Sequence, residues 1–325
     1  MRYFFRWVAV KATDSDYTAV SFVDIDSEAA GQRIDNFLLA RLKGVPKSRV
    51  YRLLRKGEVR VNKGRIKPEY RLLEGDRIRL PPIRVAERSA PPLPSQSLRA
   101  DLLSSIVRQN EHWLVLNKPS GLAVHGGSGV SLGVIEALRG LWPEARNLEL
   151  VHRLDRDTSG CLLITKKRSA LRELQAQMRA GSINKQYLVL VAGRWPKGLT
   201  LVDAPLRKNT LSSGERVVRA DKEGKSARTH FKVLRAFTDF TLVEATLETG
   251  RTHQIRVHCQ LMGHPVAGDP KYGDKAANQN LKAHGLTRLF LHAYKLGFRD
   301  PVTSERTTCE APLSKALSGV LENLP

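Results

Sequence analysis

The chain reads as two units of unequal size: a small basic α/β-type module, then a larger α+β domain on a mixed, mainly antiparallel sheet. Its 325 residues suffice for two domains and at least one sizeable core. The composition breaks between Pro81 and Ala100, where prolines and serines replace any helical or strand period. Beyond the break, adjacent strand-like runs alternate with occasional helices without a β-α-β repeat, which favours an α+β domain over a doubly wound parallel sheet.

Residues 1–28 are set aside as an N-terminal extension, read either as disordered or as an artefact of where the start is assigned. Its start is basic and apolar, but Arg6 and Lys11 interrupt the apolar stretch and no small-residue cleavage site follows, so no secretion signal is read. Residues 29–82 form the first domain. Ile34, Phe37, Leu38 and Leu42 follow helical spacing, and a second helix carries Val50, Leu53 and Leu54 on one side with Arg49, Arg52 and Lys56 on the other. Gly57 ends it in the left-handed conformation. Glu58–Val61 reads as a strand, Asn62–Gly64 as a tight turn, and Arg77–Leu80 as a last strand after the Gly75–Asp76 turn.

Residues 83–100 are assigned as a linker and 101–325 as the second domain. Its expected strands are Trp113–Leu116, Gly160–Thr165, Gln186–Ala192, Thr229–Leu234, Phe240–Leu247 and Leu289–Leu296. Helices are expected over Leu132–Leu141, Ala170–Arg179 and Thr252–Met262, the last with Gly263 behind it.

Charge narrows the partner. Lys and Arg number 54 against 32 acidic residues, a formal net charge of +22, which points to a polyanion, nucleic acid first. Residues 31–80 alone hold fifteen Lys/Arg against five Asp/Glu, so ion pairing within the module cannot absorb the excess. No apolar run approaches the roughly 20 residues needed to span a bilayer. Cys161, Cys259 and Cys309 are odd in number and lack C-x-x-C spacing, indicating neither a disulfide framework nor a cysteine zinc site, and fitting a reducing, cytoplasmic location.

Four separated segments carry polar residues unusual in an inert core: Asn117–Gly121 with His125, His152–Gly160, Lys185–Tyr187 and Gly250–His258. Asp155 in His152-Arg153-Leu154-Asp155 is a carboxylate among basic side chains. Ion-pair networks do the same, so this alone favours a structural role. Asp155 and Asp157, two apart, would also suit a glycosidase-like pair. His253 and His258 are five apart with no acidic companion, unlike the helical H-E-x-x-H metal motif, and Gly126–Gly129 lacks the Lys-Ser/Thr ending of a P-loop. No metal is expected.

The first module resembles the S4 RNA-binding domain from Gln32-Arg33-Ile34-Asp35 through Ser48-Arg49, Gly57, Val61-Asn62 and Gly75-Asp76. The second domain, in H-R-L-D-x-x-T-S-G from His152, G-R-T-H-Q-I-R-V-H from Gly250 and Arg288–Ala293, resembles the pseudouridine synthases, in the branch that modifies large-subunit ribosomal RNA. The resemblance implies a pseudouridine synthase fold and RNA binding by the basic helical face with Arg49, Arg52 and Lys56. It makes Asp155 the essential catalytic group and Tyr187 the active-site tyrosine, needs neither cofactor nor metal, and assigns the chemistry to one aspartate, leaving Asp157 to orient a turn. Arg256 is expected beside Asp155, holding it ionised, and Arg251 ahead of the helix, facing phosphate. His152, Arg153, Ile255, Leu291 and His125 are expected around the substrate, with ribosomal RNA or its assembly intermediate as partner and no protein partner. Competing classes are a non-catalytic RNA-binding ribosome-assembly factor and a base-removing glycosylase.

Overall fold

In the computed structural model of the protein the described residues are 19–42, 45–83, 94–126, 132–142, 145, 147–210 and 216–325, and the chain divides into two units after Pro91. In the first unit, β1 (Ser21–Asp24) is followed by α1 (Ile34–Arg41), α2 (Lys47–Lys56), β2 (Arg60–Val61) and β3 (Arg77–Leu80), the three strands forming an antiparallel sheet in the order β1-β3-β2. Strand β1 corrects the expectation of a disordered extension through residue 28: Ser21–Asp24 pair with Leu80–Arg77 and cover the free edge of β3. Residues 1–18 lie outside the described residues.

Helix α2 is amphipathic. It buries Val50, Leu53 and Leu54 against Ile34, Leu38, Leu72 and Ile78, leaving Arg52, Arg55 and Lys56 exposed and Arg49 half-buried. It stops at Gly57, whose φ of 66° is open to glycine without steric cost. The loop side of this unit is organised by Asp76, buried at 4% exposure, which accepts hydrogen bonds from Asn62 Nδ2 (2.8 Å), Tyr70 Oη (3.0 Å) and the Leu73 N–H (2.8 Å).

The second unit runs α3 (Gln96–Ser104), β4 (Ile106–Gln109), β5 (Trp113–Lys118), α4 (Val134–Leu141), β6 (Glu149–Leu150), β7 (Ser159–Thr165), α5 (Arg168–Arg179), β8 (Asn184–Ala192), β9 (Leu201–Asp203), β10 (Leu206–Thr210), β11 (Arg216–Ala220), β12 (Arg228–Ala236), β13 (Phe240–Leu247), α6 (Gln254–Leu261), α7 (Lys275–Ala283), β14 (Leu291–Arg299), β15 (Arg306–Glu310) and α8 (Lys315–Asn323). Among the described residues ten strands share one sheet, β4-β5-β7-β14-β8-β13-β12-β9 with β15 on β14 and β6 on β7, while β10 and β11 form a separate antiparallel pair. The pairing of β14 with β7 is parallel and the others are antiparallel, the mixed, mainly antiparallel α+β sheet expected. Residues 84–93 of the assigned linker lie outside the described residues, and 96–100 are helical, capped by Ser95 Oγ on the Leu98 N–H. The Gly-rich stretch 127–131 also lies outside them.

Every residue of β7 is buried, so its side chains alternate between two cores. Leu162 and Ile164 join Val189, Val243, α4 and α6 on one face, while Cys161 and Leu163 join Trp113, Phe298 and Leu174 of α5 on the other. Toward β13, α7 and α8 contribute Leu281, Leu317 and Val320 against Leu190 and Phe240. Both faces are covered by helices, and the site lies on the face shared with α4 and α6. No helix of the described residues is long and apolar enough to cross a membrane.

The parallel contact between β7 and β14 needs Gly160. Its φ is 108°, and a Cβ there would lie 2.2 Å from the Ala293 carbonyl oxygen. Gly160→Ala combines backbone strain with overpacking and is expected to cost at least about 2 kcal/mol, measured as a lowered midpoint of urea unfolding.

Candidate active site

The β6–β7 turn that carries Asp155 is held from both sides. His152 stands at its start, where its Nε2 accepts a hydrogen bond from the Leu163 N–H at 3.1 Å. Burial, then the charge of Lys185, drives the imidazole pKa down to about 4, so the ring is neutral with its proton on Nδ1. Lys118 at the end of β5 is fully buried and donates to the carbonyls of Pro119 (2.7 Å), Leu122 (2.8 Å) and Arg156 (2.9 Å). Burial pulls its pKa to about 7, against which the three oxygens favour the ammonium form. A rigid turn therefore presents Asp155, whose side chain is 19% exposed.

Opposite stands the start of α6. The helix begins at Gln254, two residues later than the sequence spacing suggests, because His253 adopts the left-handed conformation (φ 55°, ψ 20°) as its N-cap. This conformation is uncommon for a residue with a side chain and takes His253 off the helix face. Its Nε2 lies 3.7 Å from Asp155 Oδ2, and its Nδ1 is 2.8 Å from the Tyr272 hydroxyl, which accepts from the Val218 N–H at 3.0 Å. The phenolic proton is thereby free to bond Nδ1, which leaves the proton of a neutral His253 on Nε2, toward Asp155. His258, by contrast, faces inward, bonding Thr229 and the Ala204 carbonyl.

Arg256 approaches Asp155 Oδ2 with Nη1 at 3.6 Å, but its close partner is another residue. Asp269, in the loop before α7, takes Nε at 2.7 Å and Nη2 at 2.8 Å in a bidentate pair, with both side chains almost fully enclosed. Arg256 thus stands beside Asp155 as expected, while Asp269 anchors it and Asp155 receives its remaining edge. Burial opposes both charges. The mutual hydrogen bonds and attraction prevail, holding Arg256 above and Asp269 below their ordinary values.

A cavity of about 230 Å³ opens over Asp155. Tyr187 on β8, Ile255 on α6 and Leu291 on β14 form its apolar walls, each buried. Burial and the Asp155 carboxylate push the Tyr187 phenol well above its ordinary value, so it stays protonated. Arg153 and Arg251 line the cavity and are exposed; Arg251 Nε donates to the Ser226 carbonyl at 3.0 Å. His152 also lines it, with its Nε2 engaged by the backbone. His125 is exposed and is not among the lining residues, so the structure does not bring it to the cavity. Nor does Asp157 line it; Ser120 Oγ donates to the Asp157 carbonyl at 2.8 Å, and among the described residues the cavity wall holds one carboxylate. Arg49, Arg52 and Lys56 belong to α2 of the first unit.

Sequence reasoning missed Asp269 and Tyr272, and gave His253 and Lys185 no part in the site. Asp269 sits thirteen residues beyond Arg256 in a Gly-Asp-Pro string that reads as an ordinary turn. The left-handed His253 has no glycine to announce it.

Comparison with known proteins identifies the family. The family model for RNA pseudouridylate synthase matches residues 112–261, and that for the S4 domain matches residues 32–78. The chain is 56% identical to the ribosomal large subunit pseudouridine synthase C of Pasteurella multocida (strain Pm70) over 93% of each chain. It is 57% identical to the Yersinia pestis protein of that name, over 92% of this chain and 93% of the relative, and 56% identical to that of Escherichia coli (strain K12), over 94% and 97%. Among solved structures, human RNA Pseudouridylate Synthase Domain Containing 4 superposes with a TM-score of 0.58 at 27% identity, over 70% of this chain and 95% of that one. A fold, a signature-bearing cavity and relatives aligned over nearly their whole length agree: this chain is a member of the RNA pseudouridylate synthase family that carries an S4 domain.

Proposed function

We propose that this enzyme isomerises specific uridines of large-subunit (23S) ribosomal RNA to pseudouridine in the cytoplasm, with Asp155 as catalytic nucleophile. One observation carries the reading: the carboxylate in the cavity lies between Arg256 and His253 and beside the phenol of Tyr187. The relatives named for the large ribosomal subunit support the choice of RNA. The reaction detaches uracil from its N1 bond to ribose, turns it and rejoins it through C5, exchanging nothing with a second molecule. A carboxylate suits that chemistry as a covalent nucleophile.

Each element has a task in this reading. The target uridine leaves its stack to enter the cavity, at a cost of a few kcal/mol that is least in loops and mismatches. Tyr187 stacks on the uracil, a contact worth about 1–3 kcal/mol in single-stranded recognition. Arg256 positions Asp155, and Asp269 keeps Arg256 in place. Ile255 and Leu291 exclude water, and His152 orients the turn. Arg153 and Arg251 at the rim meet phosphates, as do Arg49, Arg52 and Lys56 on the first unit.

Asp155→Asn is expected to abolish pseudouridine formation while RNA affinity is largely kept, as read by nucleoside chromatography and filter binding on a 23S rRNA transcript. Retained turnover would exclude Asp155 as nucleophile, and free uracil with an abasic site would make the enzyme a glycosylase. Asp269→Asn removes the anchor of a buried guanidinium. The expected outcome is a loss of about 3–5 kcal/mol of stability and a rate drop of the order of 10²-fold from misplacement of Arg256, measured by denaturation and single-turnover kinetics. Arg52→Ala and Lys56→Ala should each weaken RNA binding irrespective of sequence. Each should also flatten the plot of log affinity against log salt by about 0.7–0.9, as measured by titration across salt concentrations.

A further inference from the structure

Lys185 is a cation without a counter-ion inside the cavity. It is 8% exposed and lines the same space as Asp155. Among the described residues it has neither a hydrogen-bond nor an ion-pair partner, and burial alone sets its protonation, drawing the ammonium below the ordinary lysine value. Its position follows from strand geometry. Lys185 and Tyr187 are two apart on β8 and both buried, so they project from one face of the sheet. The ammonium reaches toward Gly250 across the cavity, 3.8 Å from where a Cβ would stand, and its charge is felt by the His152 ring. The ammonium is not one of the described polar atoms wholly closed off without a partner, so it opens on the cavity, where a ligand can reach and complete it.

Two parts of an RNA substrate offer an acceptor, the phosphodiester and the base. Phosphates belong to a backbone that must pass in and out across the rim, where the exposed Arg153 and Arg251 stand. The base is the part that reaches the depth of Tyr187, and its only strong acceptors are the carbonyl oxygens O2 and O4. We propose that Lys185 is a catalytic residue whose ammonium donates a hydrogen bond to a carbonyl oxygen of the extruded uracil and stabilises the negative charge the ring acquires during isomerisation. The inference rests on the reading of the Asp155 cavity as a uridine isomerase site.

The charge arises by any route. When the C1′–N1 bond breaks, its electron pair stays with uracil and spreads over N1, O2 and O4; addition of Asp155 to C6 instead places a pair on C5 and O4. The ring pair then forms the C1′–C5 bond, any bond from Asp155 to C1′ or C6 breaks with its electron pair returning to the carboxylate, one proton leaves C5 and one arrives at N1, so atoms and electrons balance without a co-reactant. Lys185 keeps its proton throughout and acts as a preorganised donor where charge develops, a kind of contact whose removal typically slows catalysis 10²–10³-fold.

Lys185→Met preserves shape and removes the charge. On a 23S rRNA transcript its single-turnover rate is expected to fall about 10²-fold, with the RNA dissociation constant changed by less than about threefold, and Lys185→Arg should recover part of the rate. A transcript containing 5-fluorouridine adds a second arm. Fluorine at C5 stabilises the ring anion by itself, so the defect in C1′–N1 cleavage should be markedly smaller there. Stability supplies a third readout. Because the folded state holds the Lys185 proton less readily than the unfolded chain, the charged side chain opposes folding below the ordinary lysine range, and Lys185→Met should raise the melting temperature. An unchanged rate, a rate loss explained by weaker RNA binding, an equal defect on both transcripts or a lowered melting temperature would each overturn the proposal. Absence of product with the unmodified protein removes the isomerase reading and this inference with it; a fully active parent with an unaffected variant removes the inference alone.

Discussion

The site is organised by a buried ion pair that does not itself include the proposed nucleophile. Arg256 and Asp269 meet in a bidentate pair with almost no exposure. Excluding water from two charges this close is tolerable only because the geometry is good and the carboxylate is further satisfied by the backbone N–H groups of Lys271 and Tyr272. That pair fixes the loop before α7 to the start of α6. Tyr272 lies against the Arg256 guanidinium at 5.0 Å and extends the tie to His253 and Val218. One carboxylate thus decides where a guanidinium, an imidazole and a phenol stand.

The arrangement leaves Asp155 with two neighbours at 3.6 and 3.7 Å, close enough to orient it and beyond the distance of a strong charge-assisted hydrogen bond. A carboxylate locked in its own bidentate pair would have both oxygens committed and would be a poor nucleophile. Because Asp269 takes that geometry instead, Asp155 stands beside the guanidinium with its oxygens uncommitted. In the function proposed, that division of labour between two aspartates separates holding the cation from attacking the substrate.

Much of the fold was legible because its strands and helices are periodic. Strand β13 has the bounds its apolar pattern predicts, and α2 shows the face of Val50, Leu53 and Leu54 opposed to basic residues that its spacing implies. The short edge elements were not legible. Strand β1 is four residues of alternating exposure that become a strand only because β3 has a free edge, and β10–β11 pair with each other outside the main sheet. The site was half legible. Asp155, Tyr187 and Arg256 stand in strings whose composition is unusual, whereas Asp269 sits in a common turn and acts by tertiary proximity. Lys185 was quoted with its string but given no role, because what sets it apart is the lack of a partner, which only coordinates reveal.

A further constraint follows from what the cavity contains besides charge. An enzyme that detaches a base and rejoins it must let the ring turn without letting it leave, and must keep water from the ribose carbon while the bond is open. Apolar walls from Tyr187, Ile255 and Leu291 meet the first need, and a space of about 230 Å³ meets it by size. A hydrolase of the two-carboxylate type positions a second acid or base to activate water; here Asp157, the nearest carboxylate in sequence, is excluded from the lining, and Lys118, hydrogen-bonded to the neighbouring Arg156 carbonyl, fixes the turn that excludes it. The same rigid turn that presents one aspartate therefore withholds the other, and in the function proposed that selection separates rearrangement of the nucleoside from its hydrolysis.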